Sequence, residues 1–216
     1  MRLVAAALLA AALNASAATP HHAVVETSFG AITIELDAKA APKSVDAFVA
    51  YARVGAYDNT IVHRVVKDFV MQGGDYQHRP DAAQPMPLWP GSHVEAFEPE
   101  ERNGLRNRRA TVAMARASAA QHGMAPSGFF INLRDNEFLD WKRFDAETRV
   151  PTPRGPRVAP AGTEVVGYAV FGRVVDGWDV VERIARAPVS AATPPHEHLP
   201  VTPIIVRRVR LLDAQR

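Results

Sequence analysis

His63-Arg64-Val65-Val66-Lys67-Asp68-Phe69-Val70-Met71-Gln72-Gly73-Gly74-Asp75 decides how this chain is read. Its apolar residues alternate in two short runs broken at Lys67-Asp68 and closed by a diglycine, which predicts two adjacent strands joined by a turn. On that reading Arg64 and Gln72 sit on neighbouring strands and share one face. An arginine on a sheet edge and a glycine pair in a turn are ordinary features taken singly. An arginine beside a glutamine at a strand pair, with Phe69 between them in sequence, is a candidate site.

Working outward, Val24 to Leu36 reads as a hairpin with Phe29-Gly30 in the turn and Ile32, Ile34 and Leu36 alternating with polar neighbours. A helix follows: Pro42 suits its first turn, Val45, Phe48, Val49 and Ala52 recur at helical spacing, and Gly55 is placed to end it. A second helix is predicted around Trp178 to Ala185, with Val180, Val181 and Ile184 on one side. Near the C-terminus, Ile204, Val206, Val209 and Leu211 predict a strand whose arginines, Arg207, Arg208 and Arg210, face water. Many short strands with two helices argue for a mainly β protein whose antiparallel sheet closes on itself, since closure removes exposed edges.

Composition narrows the function. The 216 residues carry 25 Lys and Arg against 23 Asp and Glu, a formal net charge of +2, and no cysteine. Disulfides and thiol chemistry are therefore excluded, and folding rests on packing. Neither arginine cluster, Arg106/Arg108/Arg109 or Arg207/Arg208/Arg210, is interleaved with aromatic residues, so a nucleic-acid surface is not expected. Met1-Arg2, the apolar run Leu3 to Leu13 and the small residues Ala15-Ser16-Ala17 read as a cleavable secretory signal over residues 1–17. Asn14 interrupts that run well short of the roughly 20 apolar residues a membrane span needs, so stable membrane insertion is not expected. Residues 18–216 read as one domain. Gln77 to Pro90 and Trp141 to Glu164 look like loop insertions, and the second follows Phe138-Leu139 closely enough to border a site or to be an inert, proline-stiffened excursion. His196-Glu197-His198 has ligand-type residues but lies in a proline-flanked loop, where solvated histidines are the commoner case, so no metal is expected. Ser118 or Ser127 with His122 lacks the strand-turn-helix elbow and glycine-rich oxyanion pattern of a hydrolase.

Three further segments change the weight of the first. These are Thr111-Val112-Ala113-Met114-Ala115-Arg116, then Ser127-Gly128-Phe129-Phe130-Ile131-Asn132 with Asp135-Asn136-Glu137-Phe138-Leu139-Asp140, and then Gly167-Tyr168-Ala169-Val170-Phe171-Gly172-Arg173-Val174. With the opening segment, and in this order from about Val24 to Leu212, they resemble the cyclophilins, the peptidyl-prolyl cis-trans isomerases. The resemblance implies a closed eight-stranded antiparallel β-barrel capped by two α-helices, acting without a cofactor on proline-containing segments of unfolded or folding polypeptides. It implies that Arg64 is the catalytic arginine and Gln72 the glutamine that orients it. Phe69, Val70, Phe130 and Leu139 match the apolar pocket for the proline ring, Val70 standing for a common methionine. Arg116, flanked by Ala115 and Ala117, matches a position, often asparagine, whose backbone holds the substrate.

Several positions depart from the family. Gly128 replaces a glutamine that would hydrogen-bond substrate, which implies weaker or water-mediated binding there. Phe138 stands for the tryptophan of cyclosporin-sensitive members and Tyr168 for a histidine, so both substrate-binding positions imply poor cyclosporin binding. Val62 replaces a frequent aromatic residue. The expectation is an exported, periplasmic, monomeric isomerase. The alternative is a cyclophilin-like chaperone or binding module with little turnover.

Overall fold

The computed structural model describes residues 21–80, 86–87, 94–116, 127–150, 155–191 and 197–212. The expected signal segment 1–17, Ala117, Ser118, His122, His196, and parts of the 77–90 and 141–164 segments lie outside the described residues.

The chain begins with β1 (His22–Thr27) and β2 (Gly30–Leu36), paired as the expected hairpin. Helix α1 (Pro42–Arg53) starts on its proline and is followed by Gly55 at φ +70°. Next come β3 (Thr60–Val66) and β4 (Val70–Gln77), antiparallel about the Lys67-Asp68 turn. A short β5 (Met86–Pro87) pairs with the end of β4. After it lie β6 (Thr111–Met114) and β7 (Phe129–Asn132), and a single 3₁₀ turn over Glu137–Leu139. The segment beyond this turn is not bare loop: β8 (Lys142–Arg143) pairs with β11 (Glu164–Val165), and between them β9 (Thr148–Val150) pairs with β10 (Arg157–Ala159). Finally β12 (Val170–Asp176), α2 (Trp178–Ala185) and β13 (Ile205–Leu212) complete the fold.

Eight strands form a closed antiparallel ring in the order β3-β13-β1-β2-β12-β6-β7-β4, with β4 returning to β3. Closure leaves no continuous unpaired edge, which disposes of the aggregation hazard of an open sheet. The interior is filled by Ile32, Ile34, Val62, Val65, Met71, Val112, Phe129, Ile131 and Phe171. Both helices bury their apolar stripe in the same core: Phe48 of α1 lies 5.2 Å from the Tyr57 ring, 5.5 Å from Phe129 and 5.3 Å from Phe171, while Val181 and Ile184 of α2 are fully enclosed. Aromatic groups at such separations add to their burial energy through edge and tilted contacts.

No side chain of its own neighbourhood caps α1. Glu100 does so from a distant loop, accepting from the Lys43 and Ser44 backbone N–H groups at 3.0 and 2.8 Å and from Ser44 Oγ at 2.7 Å. A carboxylate there satisfies orphan donors and opposes the helix dipole.

Candidate active site

Cross-strand partners on one face of a sheet stand side by side. Following the register outward from β3, Arg64 pairs with Gln72 on β4, Gln72 with Phe130 on β7, Phe130 with Ala113 on β6, and Ala113 with Val170 on β12. These residues form one lateral row across five strands. Their sequence neighbours Val65, Met71, Phe129, Ile131, Val112 and Phe171 point into the barrel, so the row lies on its outer face. The register of β3 against β4 slips between Val62 and Arg64. Such a bulge shifts the side-chain alternation, and it is what lets Val62 and Val65, three apart, both face the core with Arg64 turned outward.

Val70, Ala113, Phe130 and Val170 make a second buried apolar cluster, separate from the barrel core, with Phe69, Leu105, Leu139 and Tyr168 partly buried around it. The result is a floor with a rim. Phe130 meets the Tyr168 ring edge-on at 5.4 Å. Phe69 stacks on Phe138 at 5.5 Å, and the Arg64 guanidinium carbon lies 5.7 Å from the Phe69 ring centre. Phe138 is 58% exposed, an unusual position for a large aromatic and one that extends apolar surface beyond the floor. On the far rim, Arg116 donates to the Gly167 carbonyl at 3.1 Å and lies 5.2 Å from the Tyr168 ring centre. Beside it the Ala115 N–H donates to the Gly128 carbonyl at 2.9 Å.

The structure thus brings together ten of the sequence-predicted site positions, Arg64, Phe69, Val70, Gln72, Ala115, Arg116, Phe130, Phe138, Leu139 and Tyr168. It also reveals polar residues that sequence reasoning missed. Asn107, Asn132, Asn136 and Asp140 are all buried beneath the rim. Asn136 Nδ2 donates to the Phe69 carbonyl at 3.0 Å and to Asn132 Oδ1 at 2.7 Å, and Asn132 Nδ2 donates to Asn107 Oδ1 at 3.1 Å. Asn107 Nδ2 in turn donates to Asp140 Oδ1 at 3.0 Å and to the carbonyls of Leu139 and Tyr168 at 3.2 and 3.3 Å. One chain of amides therefore holds the backbone of three rim residues. A fully connected buried network of this kind rigidifies what it touches. Its only sequence signal is that Asn132 closes the apolar run Phe129-Phe130-Ile131 and Asn136 comes four residues later, which by itself reads as the start of a turn.

Five of the six arginines in the two clusters are held in ion pairs. Arg106 pairs with Asp140 at 3.4 Å, Arg108 with Asp135 at 2.9 Å, and Arg109 with Glu182 at 3.5 Å while lying 4.1 Å from the Trp178 ring centre. Arg208 and Arg210 both bind Glu26, whose carboxyl they hold below its ordinary range. The described residues contain no cluster of three potential metal-ligating side chains and no helix long and apolar enough to cross a membrane.

Comparison with known proteins places this architecture. Residues 22–208 match the family described as cyclophilin type peptidyl-prolyl cis-trans isomerase/CLD. Relatives include a peptidyl-prolyl cis-trans isomerase of Streptomyces antibioticus, 39% identical over 87% of this chain and 96% of its own, and peptidyl-prolyl cis-trans isomerase A of Dickeya dadantii, 34% identical over 98% and 97%. Peptidyl-prolyl cis-trans isomerase B of Escherichia coli is 35% identical over 87% and 97%. The fold also matches a crystal structure of a cyclophilin type isomerase from Cryptosporidium parvum, with TM-score 0.58 at 23% identity over 91% of this chain and 99% of that one. The chain belongs to the cyclophilin-type peptidyl-prolyl cis-trans isomerases, and it is an enzyme of that class.

Proposed function

We propose that the Arg64 row is the catalytic groove, that Arg64 and Gln72 carry the isomerisation, and that the substrates are X-Pro bonds in exported polypeptides folding in the periplasm. The observation that carries this reading is the register row itself, which sets a guanidinium beside a floor of Phe130, Ala113 and Val170 with no hydrophilic side chain among the floor residues.

Rotation about a prolyl bond faces a barrier of about 18–20 kcal/mol because amide resonance is lost on twisting. No bond is broken, so neither a nucleophile nor a metal is required. A proline ring presents apolar surface alone, and the floor and rim fix it while the preceding carbonyl turns. Twisting frees the lone pair of the prolyl nitrogen. The Arg64 guanidinium, charged at any working pH, donates to that nitrogen or to the adjoining carbonyl region. The interaction strengthens as the bond twists, and that difference between ground and transition state is what accelerates rotation. Gln72, directly across the ladder, orients the guanidinium, and the backbone around Ala115 and Arg116 holds the substrate chain.

Export rests on the leader-like residues 1–17, and monomeric action on a groove built within one chain. The test compares mature protein with Arg64→Ala at equal folded concentration, by NMR exchange in a short X-Pro peptide. Acceleration that drops by about 10²–10³-fold in the variant, the usual cost of removing one preorganised donor, supports the reading. No acceleration by folded wild type would instead identify a peptide-binding module.

A further inference from the structure

Asp75 is joined to the Arg64 row without belonging to it. Residues 72 and 75 would face opposite sides of a regular strand. Gly74, at φ +90°, breaks the alternation, and the β3–β4 register slips again at this point. A Cβ on Gly74 would lie 3.0 Å from the Ser127 carbonyl, so the backbones are close. The Asp75 carboxylate therefore turns back toward Gln72, where the Gln72 side-chain amide and the Gly128 N–H both favour its charged form, and it accepts from Ser127 Oγ at 3.3 Å. It also fills the space over Gly128. A Cβ added there would stand 2.1 Å from Asp75 Oδ2 and 2.4 Å from both Cγ and Oδ1.

These contacts fix a direction. An ionised carboxylate only accepts, so Gln72 must present its NH₂ group to Asp75 and leave its amide oxygen as the other end. Arg64, directly across the ladder, only donates. We propose that Asp75 is a positioning residue for catalysis, whose carboxylate sets the Gln72 amide with its oxygen toward the Arg64 guanidinium, and that residue 128 is glycine because that carboxylate needs the space. The proposal rests on the isomerase reading of Arg64 and Gln72.

Protonation would undo the arrangement. A carboxylic acid offers an O–H donor that Ser127 Oγ or a turned Gln72 amide oxygen can accept, and it thereby lets the Gln72 amide turn its NH₂ toward the guanidinium, donor against donor. Burial raises the Asp75 pKa to about 6, the hydrogen bonds from Ser127, Gln72 and Gly128 offsetting only part of that rise. The titratable groups that face it are the phenols of Tyr51 on α1, Tyr57 after that helix, and Tyr76 on β4, all pushed upward by burial and then by Asp75, so none is charged between pH 5 and 8.

The experiment follows peptide exchange by NMR from pH 5 to 8 in wild type, Asp75→Asn, Gln72→Ala, the double variant and His63→Gln, with folding checked at each pH. Wild-type kcat/KM is expected to fall by about tenfold as pH drops through about 6, within the up to 10²-fold cost of misplacing a group by about 1 Å. Asp75→Asn is expected to lose the acid limb, and to change nothing further once Gln72 is alanine. Gly128→Ala should flatten the limb as Asp75→Asn does. Histidine is the other residue type that changes charge in this range, and His63 adjoins Arg64. A limb that survives in Asp75→Asn, or vanishes only in His63→Gln, overturns the proposal, as does a flat wild-type profile. The Gln72 side-chain amide resonances provide a readout without turnover. They should titrate with the same midpoint in wild type and not in Asp75→Asn. If wild type shows no isomerisation at any pH, the isomerase reading fails, and a titrating Gln72 signal still upholds the Asp75 contact while a static one overturns it.

Discussion

Replacing Asp75 with asparagine should change how stability depends on pH, by an amount that follows from its environment. Burial moves this carboxyl from 3.8 to about 6. The folded state thus holds the proton more tightly than the unfolded state, so the stabilisation is complete below pH 3.8 and is lost as pH rises through about 6. At about 1.36 kcal/mol per pKa unit, the full swing is roughly 3 kcal/mol. Between pH 4.5 and 8 the linkage relation leaves roughly 2 kcal/mol of it. Urea denaturation of wild type and Asp75→Asn across that range gives the difference curve. Wild type should lose about 2 kcal/mol relative to the variant on going from pH 4.5 to 8, a relative midpoint shift of roughly 1 M at an m-value of about 2 kcal/mol/M. Glu26, Asp135 and Asp179, whose pKa values are lowered by Arg208, by the Arg109 N–H and by Arg183 respectively, contribute the opposite slope. They are present in both proteins and cancel in the difference. A flat difference curve, or one of opposite sign, would refute the claim that Asp75 is held ionised at a cost near neutral pH. A carboxylate kept at such a cost is what a functional constraint on Gln72 predicts.

Other perturbations follow from the same geometry. Phe130→Ala removes the 4% exposed centre of the floor and should destabilise by roughly 3–5 kcal/mol in urea melts while weakening peptide binding; a loss under about 1 kcal/mol would mean the floor is not close-packed. Asn107→Ala strips the amide chain of the member bonded to Asp140 and to the Leu139 and Tyr168 carbonyls, costing roughly 1–3 kcal/mol for each buried group left unpaired and lowering kcat/KM at full folding. Unchanged turnover in a folded Asn107→Ala protein would show that the rim needs no such support. Gly167→Ala would place a Cβ 2.2 Å from the Trp141 backbone nitrogen, a neighbour that cannot rotate away, and should cost roughly 1–3 kcal/mol and disturb the Tyr168 N–H to Leu139 carbonyl bond of 2.9 Å. Thermal melts and backbone amide exchange at Tyr168 would register both effects.

Much of the fold was legible because it is written in adjacent residues. Pro42 and the Val45-Phe48-Val49-Ala52 spacing match α1, Trp178–Ala185 matches α2, and the Lys67-Asp68 break separates β3 from β4. The facing of Arg64 and Gln72 followed from that break. Where the pattern was silent, the deciding partners are far away in the chain. The helix cap on α1 comes from Glu100, more than fifty residues on. The proline-rich stretch after Leu139 reads as loop, yet β8 pairs with β11 and β9 with β10, because short strands of two or three residues carry too few alternations to show a period.

The same division holds at the site. The order of the motifs carried a family resemblance, and that resemblance named the class of chemistry, with a guanidinium and apolar ring surfaces at the matching positions. Tertiary structure alone decided that Arg64, Gln72, Phe130, Ala113 and Val170 form a single row, that Asn107, Asn132 and Asn136 hold its rim from below, and that Asp75 occupies the space over Gly128. The reason is physical. Periodicity reports which face of its own strand a residue takes, whereas bulges at His63 and Gly74 reset that parity, and only barrel closure fixes which strands become neighbours and in what register.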